Sequence, residues 1–199
     1  MSAPLILASA SPARAEMLRR AGAAPEIVPA RVDEAEVKIA LRAAGAAPRD
    51  QADALAEMKA IRVSSRFPGV LVIGADQVLD LDGDAFDKPE TLDDARAQLL
   101  RLRGARHSLY SAAVIAVDGA AVWRHIGHAR LTMRAFTDSF LDDYLSTIGG
   151  GALTTAGGYR IEEEGVRLFS RIEGDWFSIL GLPLLELLAF LRVRGALAE

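Results

Sequence analysis

The chain has 199 residues, 27 acidic against 23 basic side chains for a net charge of −4, and no cysteine. That length supports one domain with a sizeable core. The slight acidity and the lack of any basic block argue against nucleic-acid binding, and without cysteine there are no disulfides, thiolate metal sites or cysteine nucleophiles.

The first apolar run, LILA (5–8), is too short for a signal peptide and has no basic segment before it. It predicts a strand that stops in Ser9-Ala10-Ser11-Pro12-Ala13-Arg14. Ser11 suits an N-cap and Pro12 the first helical position. The same turn also suits an anion: free amide N–H groups at a helix start, with Ser9, Ser11 and Arg14 as added donors. The helix that follows, Pro12 to Ala21, places Met17, Leu18 and Ala21 on one side. LRRAGAAP (18–25) and LRAAGAAP (41–48) read as two helix C-termini, each stopped by glycine and then proline.

Asp33 caps a second helix, with Glu36 at capping-box spacing. A third helix spans 50–66, carrying Leu55, Met58 and Ile61. VLVIGAD (70–76) reads as a buried strand ending on Asp76, DLDGD (80–84) as a tight turn, and Thr91 as the start of a helix to Leu102. HSLYSAAVIAV (107–117) and AAVWRHIGHARLTM (120–133) form a hairpin around Asp118-Gly119. Thr137 starts a helix closed by the flexible run Gly149–Gly151, and an apolar helix ends the chain. The apolar stretch GLPLLELLAFL (181–191) is interrupted by Glu186 and falls short of the roughly 20 residues that span a bilayer. A cytoplasmic protein without a membrane partner is expected. Strands alternating with helices around a central hairpin predict an α/β fold with a mixed β-sheet and flanking helices.

Asp76 is the leading chemical candidate, because carboxylates at the carboxyl end of buried strands face the ligand crevice of open α/β sheets. The competing reading is a turn-forming aspartate. Glu34 in a helix first turn complements the dipole, Lys59 alone reads as a surface lysine lying along its helix, and Lys88 as a loop lysine. His125 and His128, three apart on a strand, fall on opposite faces, and His107 is remote, so no histidine metal site is expected. Hydroxyls and cations (Ser9, Ser11, Arg14, Lys59, Lys88) with two carboxylates (Glu34, Asp76) suit a polyphosphate and a divalent metal such as Mg²⁺.

In order, LASASPAR (7–14), VDE (32–34), LAEMKA (55–60), IGADQV (73–78), KP (88–89), AGGY (156–159), IEGD (172–175) and GLPL (181–184) resemble the Maf family of nucleoside triphosphate pyrophosphatases. The resemblance covers nearly the whole chain and implies one Maf/ITPase-like domain over 1–199, with two lobes around a deep nucleotide cleft, often as a homodimer. It implies metal-dependent (Mg²⁺ or Mn²⁺) cleavage of a nucleoside triphosphate to the monophosphate and pyrophosphate. Asp76 matches the family's proton acceptor, and Glu34, Lys59 and Lys88 match further catalytic positions, with Asp76 and Glu34 at the metal. Ser9, Ser11 and Arg14 would bind phosphate. Where many members carry a first arginine this chain has Ala13, and Ser111 replaces a threonine. Gln77, Thr155 and Glu162 differ from the branch specific for thymidine and uridine triphosphates. Ala13, Gln77 and Glu162 instead resemble the branch acting on 7-methyl-GTP. Broad nucleotide specificity, or a nucleotide-binding regulator of cell division without catalysis, are the alternatives.

Overall fold

A computed structural model describes residues 4–198. Its strands and helices follow from short-range signals. The buried strand β1 (Leu5–Leu7) leads into α1 (Pro12–Arg20), where Ser11 Oγ accepts the Arg14 N–H at 3.4 Å and Pro12 opens the first turn. Past α1 and α2 (Glu34–Ala43), Gly22 and Gly45 take φ of +82° and +74°. The Ala23 and Ala46 amides donate to the Leu18 and Leu41 carbonyls, so both predicted glycine stops are in place. Asp33 caps α2 by accepting the Glu36 N–H at 3.1 Å. The third helix, α3 (Pro48–Ser64), starts two residues earlier than the composition suggested, because Pro48 takes the first helical position.

The remaining elements are β2 (Glu26–Ile27), β3 (Leu71–Leu81), β4 (Asp84–Phe86), α4 (Leu92–Leu102), β5 (Arg106–Val117), β6 (Ala120–Met133), α5 (Asp138–Ile148), β7 (Phe169–Glu173), α6 (Trp176–Ile179) and α7 (Leu184–Val193). The sheet runs β2-β1-β3-β5-β6-β7, with β4 paired to β3. β1 is parallel to β2 and β3, whereas β3–β4 and β6–β7 are antiparallel, so the sheet is mixed as predicted. Asp118-Gly119 joins β5 to β6 with both residues at positive φ, the geometry of a tight hairpin turn.

Two expectations need correction. β3 does not end on Asp76; it continues to Leu81, because Leu79 to Leu81 find a partner strand in β4. What ends nearby is the parallel pairing, since the last β1 partner, Leu7, lies opposite Ile73. Lys59 is buried rather than on the surface. The glycine run closes α5 as its composition indicated, with Gly149 at the C-cap and a φ of +51°, and residues Gly149–Thr154 continue as a 3₁₀ helix.

Two compact units are present. The first comprises residues up to Gln77, Tyr110–Gly127 and those from Asp175 onward. Strand alternation divides its core. Leu5, Leu7, Leu71, Ile73 and Ala75 pack with Leu18 of α1 and Leu187 and Leu191 of α7. Ile6 and Val72 point the other way and pack with Val63 of α3. Gly74 shares the parity of Val72, and α3 passes it so closely that a Cβ there would lie 2.1 Å from the Ala56 carbonyl oxygen. The missing side chain brings the α3 backbone against β3. That contact sets up the site.

The second unit holds Val78–Leu109 and His128–Gly174. Leu79, Leu99, Leu102, Leu131, Met133, Leu141 and Leu168 are fully buried there. Thr91 and Asp94 make a complete capping box at the start of α4. His107 is buried, 2.9 Å from the Tyr159 hydroxyl, and burial pushes its pKa down to about 4. No helix among the described residues is long and apolar enough to cross a membrane.

Candidate active site

Asp76 has the parity of Gly74, so it faces α3, where Lys59 stands one residue before Ala60. Lys59 Nζ lies 2.7 Å from Asp76 Oδ1 and 2.9 Å from Glu34 Oε1. The Lys59 and Asp76 side chains are 7% and 9% exposed, whereas Glu34 is 42% exposed. One buried cation is therefore shared between a buried and a half-open carboxylate. Taking Lys59 out of water is tolerable only because both acids compensate it. Asp76 Oδ2 is buried and has no hydrogen-bond partner among the described residues. A carboxylate oxygen left in that condition has full capacity to accept a proton or to bind a cation.

Beside this triad a pocket of about 150 Å³ is lined by Ser9 and Ala10 of the β1–α1 turn, by residues 29–32, and by Glu34 and Lys59. Ser9 Oγ accepts the Ser11 N–H at 3.2 Å and the Arg14 Nη1 donor at 3.3 Å. Its own hydroxyl hydrogen stays available to a ligand. Arg14 is committed to the protein more than the sequence suggested. Its Nε donates to the Gly181 carbonyl at 2.8 Å and its Nη1 to the Ala75 carbonyl at 3.0 Å. Burial lowers the Arg14 pKa, and the charges of Asp76 and Glu34 act in the opposite direction. The guanidinium thus ties the opening turn to β3 and to the turn after α6. Lysine cannot span three acceptors. Arg14→Lys is expected to cost about 1–2 kcal/mol of stability by loss of one or two such bonds, read as a lower urea midpoint, together with reduced turnover. A parent-like midpoint would show that the fork is dispensable.

Gln77 has the opposite parity to Asp76. Its Nε2 lies 2.9 Å from Ser111 Oγ, 3.1 Å from the Ser178 carbonyl and 3.0 Å from the Ile179 carbonyl. Ser111 Oγ donates to the same Ser178 carbonyl at 2.6 Å. These contacts fix which end of the Gln77 amide is which. Ser178, which holds Gln77, carried no signal in the sequence, and Gly181, which holds Arg14, stood there only as the start of GLPL, because the contribution of each is a backbone carbonyl.

Of the predicted positions, Ser9, Ser11, Arg14, Glu34, Lys59, Asp76 and Gln77 all belong to the first unit. Ser9, Ser11 and Arg14 bond to one another, Lys59 joins Glu34 to Asp76, Ser9 lines one pocket with Glu34 and Lys59, and Gln77 turns to the other face of β3. Ala13 is exposed on α1. Lys88 and Glu162 belong to the second unit, and both are exposed. Glu162 Oε1 accepts Arg160 Nε and Nη2 at 3.3 Å each. Thr155 Oγ1 donates to the Tyr159 carbonyl at 2.7 Å.

No group of three or more metal-binding side chains occurs among the described residues. The donor set nevertheless fits Mg²⁺, which is held by one or two carboxylates together with substrate phosphates and water. Glu34 and the unpartnered Asp76 Oδ2 are such a pair.

The chain matches a family profile described as Maf-like protein over residues 4–194. It is 52% identical over 197 residues to a nucleoside triphosphate pyrophosphatase of Ruegeria pomeroyi, covering 99% of each chain. It is 54% identical over 194 residues to the protein of the same name from Caulobacter vibrioides, covering 98% of this chain and 97% of that one. A 7-methyl-GTP pyrophosphatase of Mesorhizobium japonicum is 49% identical over 197 residues, again covering 99% of each.

Proposed function

The chain belongs to the Maf family and is a nucleoside triphosphate pyrophosphatase, a hydrolase, and from that premise we propose that it cleaves a guanine-type triphosphate such as 7-methyl-GTP. The observation that carries the chemistry is the Asp76 carboxylate, anchored through Oδ1 by Lys59 and unpartnered at Oδ2. In this reading Asp76 Oδ2 takes a proton from the attacking water as its oxygen bonds to the α-phosphorus. The bond to the bridging oxygen breaks, and pyrophosphate leaves with the electron pair. Glu34 and Asp76 are the residues that would hold Mg²⁺ or Mn²⁺, which when bound would neutralise phosphate charge and polarise the phosphoryl group. Lys59 holds both carboxylates in place, while Ser9 and Ser11 donate to phosphate oxygens beside the helix start. Lys88 supplies a further cation for the departing pyrophosphate. All 199 residues act as one catalytic domain.

Glu162 supports the base preference, for which Ala13 and Gln77 are the other proposed positions. A carboxylate only accepts hydrogen bonds. Guanine offers N1–H and its 2-amino group side by side, whereas uracil and thymine offer one N–H between two carbonyls that an acid repels. Methylation at N7 makes the ring cationic and strengthens the attraction. The Arg160 partner holds Glu162 through a single oxygen, which leaves Oε2 for the base. The generic names of the Ruegeria and Caulobacter relatives favour a second reading, broad specificity.

Pyrophosphate release across 7-methyl-GTP, GTP, dTTP, UTP and ATP, with Mg²⁺ or Mn²⁺, separates the two. Glu162→Gln is expected to lower the ratio of kcat/KM for 7-methyl-GTP over dTTP by about tenfold, the worth of one hydrogen bond to a charged group. Unchanged selectivity in that variant, or a parent that prefers dTTP and UTP, would overturn the guanine reading. Equal rates on the whole panel would favour the broad one.

A further inference from the structure

Arg31 adopts the left-handed backbone region, with φ of +47°. Two other non-glycine residues among those described share this feature, Asp82 and Asp118. Each of these precedes a glycine in a tight turn between strands, where positive φ is required. Arg31 is followed by Val32 on an irregular segment that runs into the cap of α2, and no hairpin accounts for it. Side chains bearing a Cβ avoid this region, and the exceptions concentrate where a ligand is clamped.

The surroundings say which kind of ligand. Arg31 lines the same pocket as Ser9, Glu34 and Lys59. Lys59 is already shared by two acids, and Arg14 is tied to two carbonyls and a serine hydroxyl. Arg31 is exposed and forms no ion pair or side-chain hydrogen bond with another described residue. A pocket whose carboxylates repel phosphate oxygens thus has one wall cation with no acid of the protein on it. Guanidinium groups bind phosphate through two parallel N–H donors.

We propose that Arg31 is a further phosphate-binding residue of this hydrolase, holding the β- and γ-phosphate oxygens that depart as pyrophosphate. The α-phosphate must lie near Asp76, where water is deprotonated. The charge that builds on the leaving group needs a cation not already neutralised by those carboxylates, and Arg31 meets that condition. The inference rests on the pyrophosphatase reaction and is independent of which base the enzyme prefers.

Arg31→Gly separates the side chain from the backbone, since glycine takes positive φ without strain. Measured with whichever triphosphate the parent hydrolyses fastest, it is expected to raise KM by about tenfold or more, the loss of a charged phosphate contact, with kcat changed far less. Inhibition by inorganic pyrophosphate should weaken by the same factor, while inhibition by the nucleoside monophosphate product stays at the parent level. Arg31→Lys, which keeps the charge without the fork, should fall between. The thermal midpoint of the glycine variant should not drop. Parent-like KM and pyrophosphate inhibition in Arg31→Gly would overturn the proposal, as would equal weakening of monophosphate and pyrophosphate. Because each value is a ratio on one substrate, a failed base preference leaves this test intact.

Discussion

Asp76→Asn is expected to lower kcat on the order of 10²–10⁴-fold, the range that a positioned general base supplies, while the nucleotide still binds. The amide matches the carboxylate in shape, so β3 keeps its register and the close passage of α3 at Gly74 is undisturbed. What disappears is the proton acceptor at Oδ2, the atom that the fold leaves buried and unpartnered. Lys59 retains Glu34 at 2.9 Å, so its charge is not abandoned. Single-turnover hydrolysis, nucleotide affinity and thermal midpoint should be measured on one preparation. Slow chemistry with near-parent binding and a folded protein is the expected combination. Turnover within tenfold of the parent would remove Asp76 from the proton-transfer step.

Lys59→Met should be the most damaging change to the fold. The side chain is 7% exposed and bonded to a carboxylate that is 9% exposed. Methionine fills similar space but leaves Asp76 buried without its cation, and leaves it near Glu34 with nothing positive between them. Breaking a buried pair from one side costs about 3–5 kcal/mol, or roughly 6–20 °C in the thermal midpoint for a chain of this length. Activity should be lost as well, because the two acids are no longer held. The origin of the loss can be isolated with the double variant Lys59→Met/Asp76→Asn. Removing the stranded charge should recover much of the stability lost by Lys59→Met, though no activity. If the two stability losses simply add, the Lys59–Asp76 contact is not what holds this part of the fold.

The local architecture was readable from the residues themselves. Ser11, Asp33 and Thr91 cap their helices, and Gly22 and Gly45 end helices as their spacing indicated. The Asp118-Gly119 turn is equally local. Each of these features is decided by hydrogen bonds within about five residues, so a short window of sequence contains all the partners. The motif order along the chain carried the family in the same direct way.

Other features depended on partners that no window contains. Lys59 looked like a surface residue because helical spacing says nothing of what lies 17 positions further on, where Asp76 waits on β3. Asp76 looked like a strand end because the pairing with β4 that extends β3 is a property of two strands together. Arg14 looked like a free phosphate ligand, and its bond to the Gly181 carbonyl spans 167 positions. The left-handed turn of Arg31 has no glycine to announce it. Side-chain type records what a group can do; whether it is buried, paired or left open depends on backbone brought from elsewhere, and only folding supplies that.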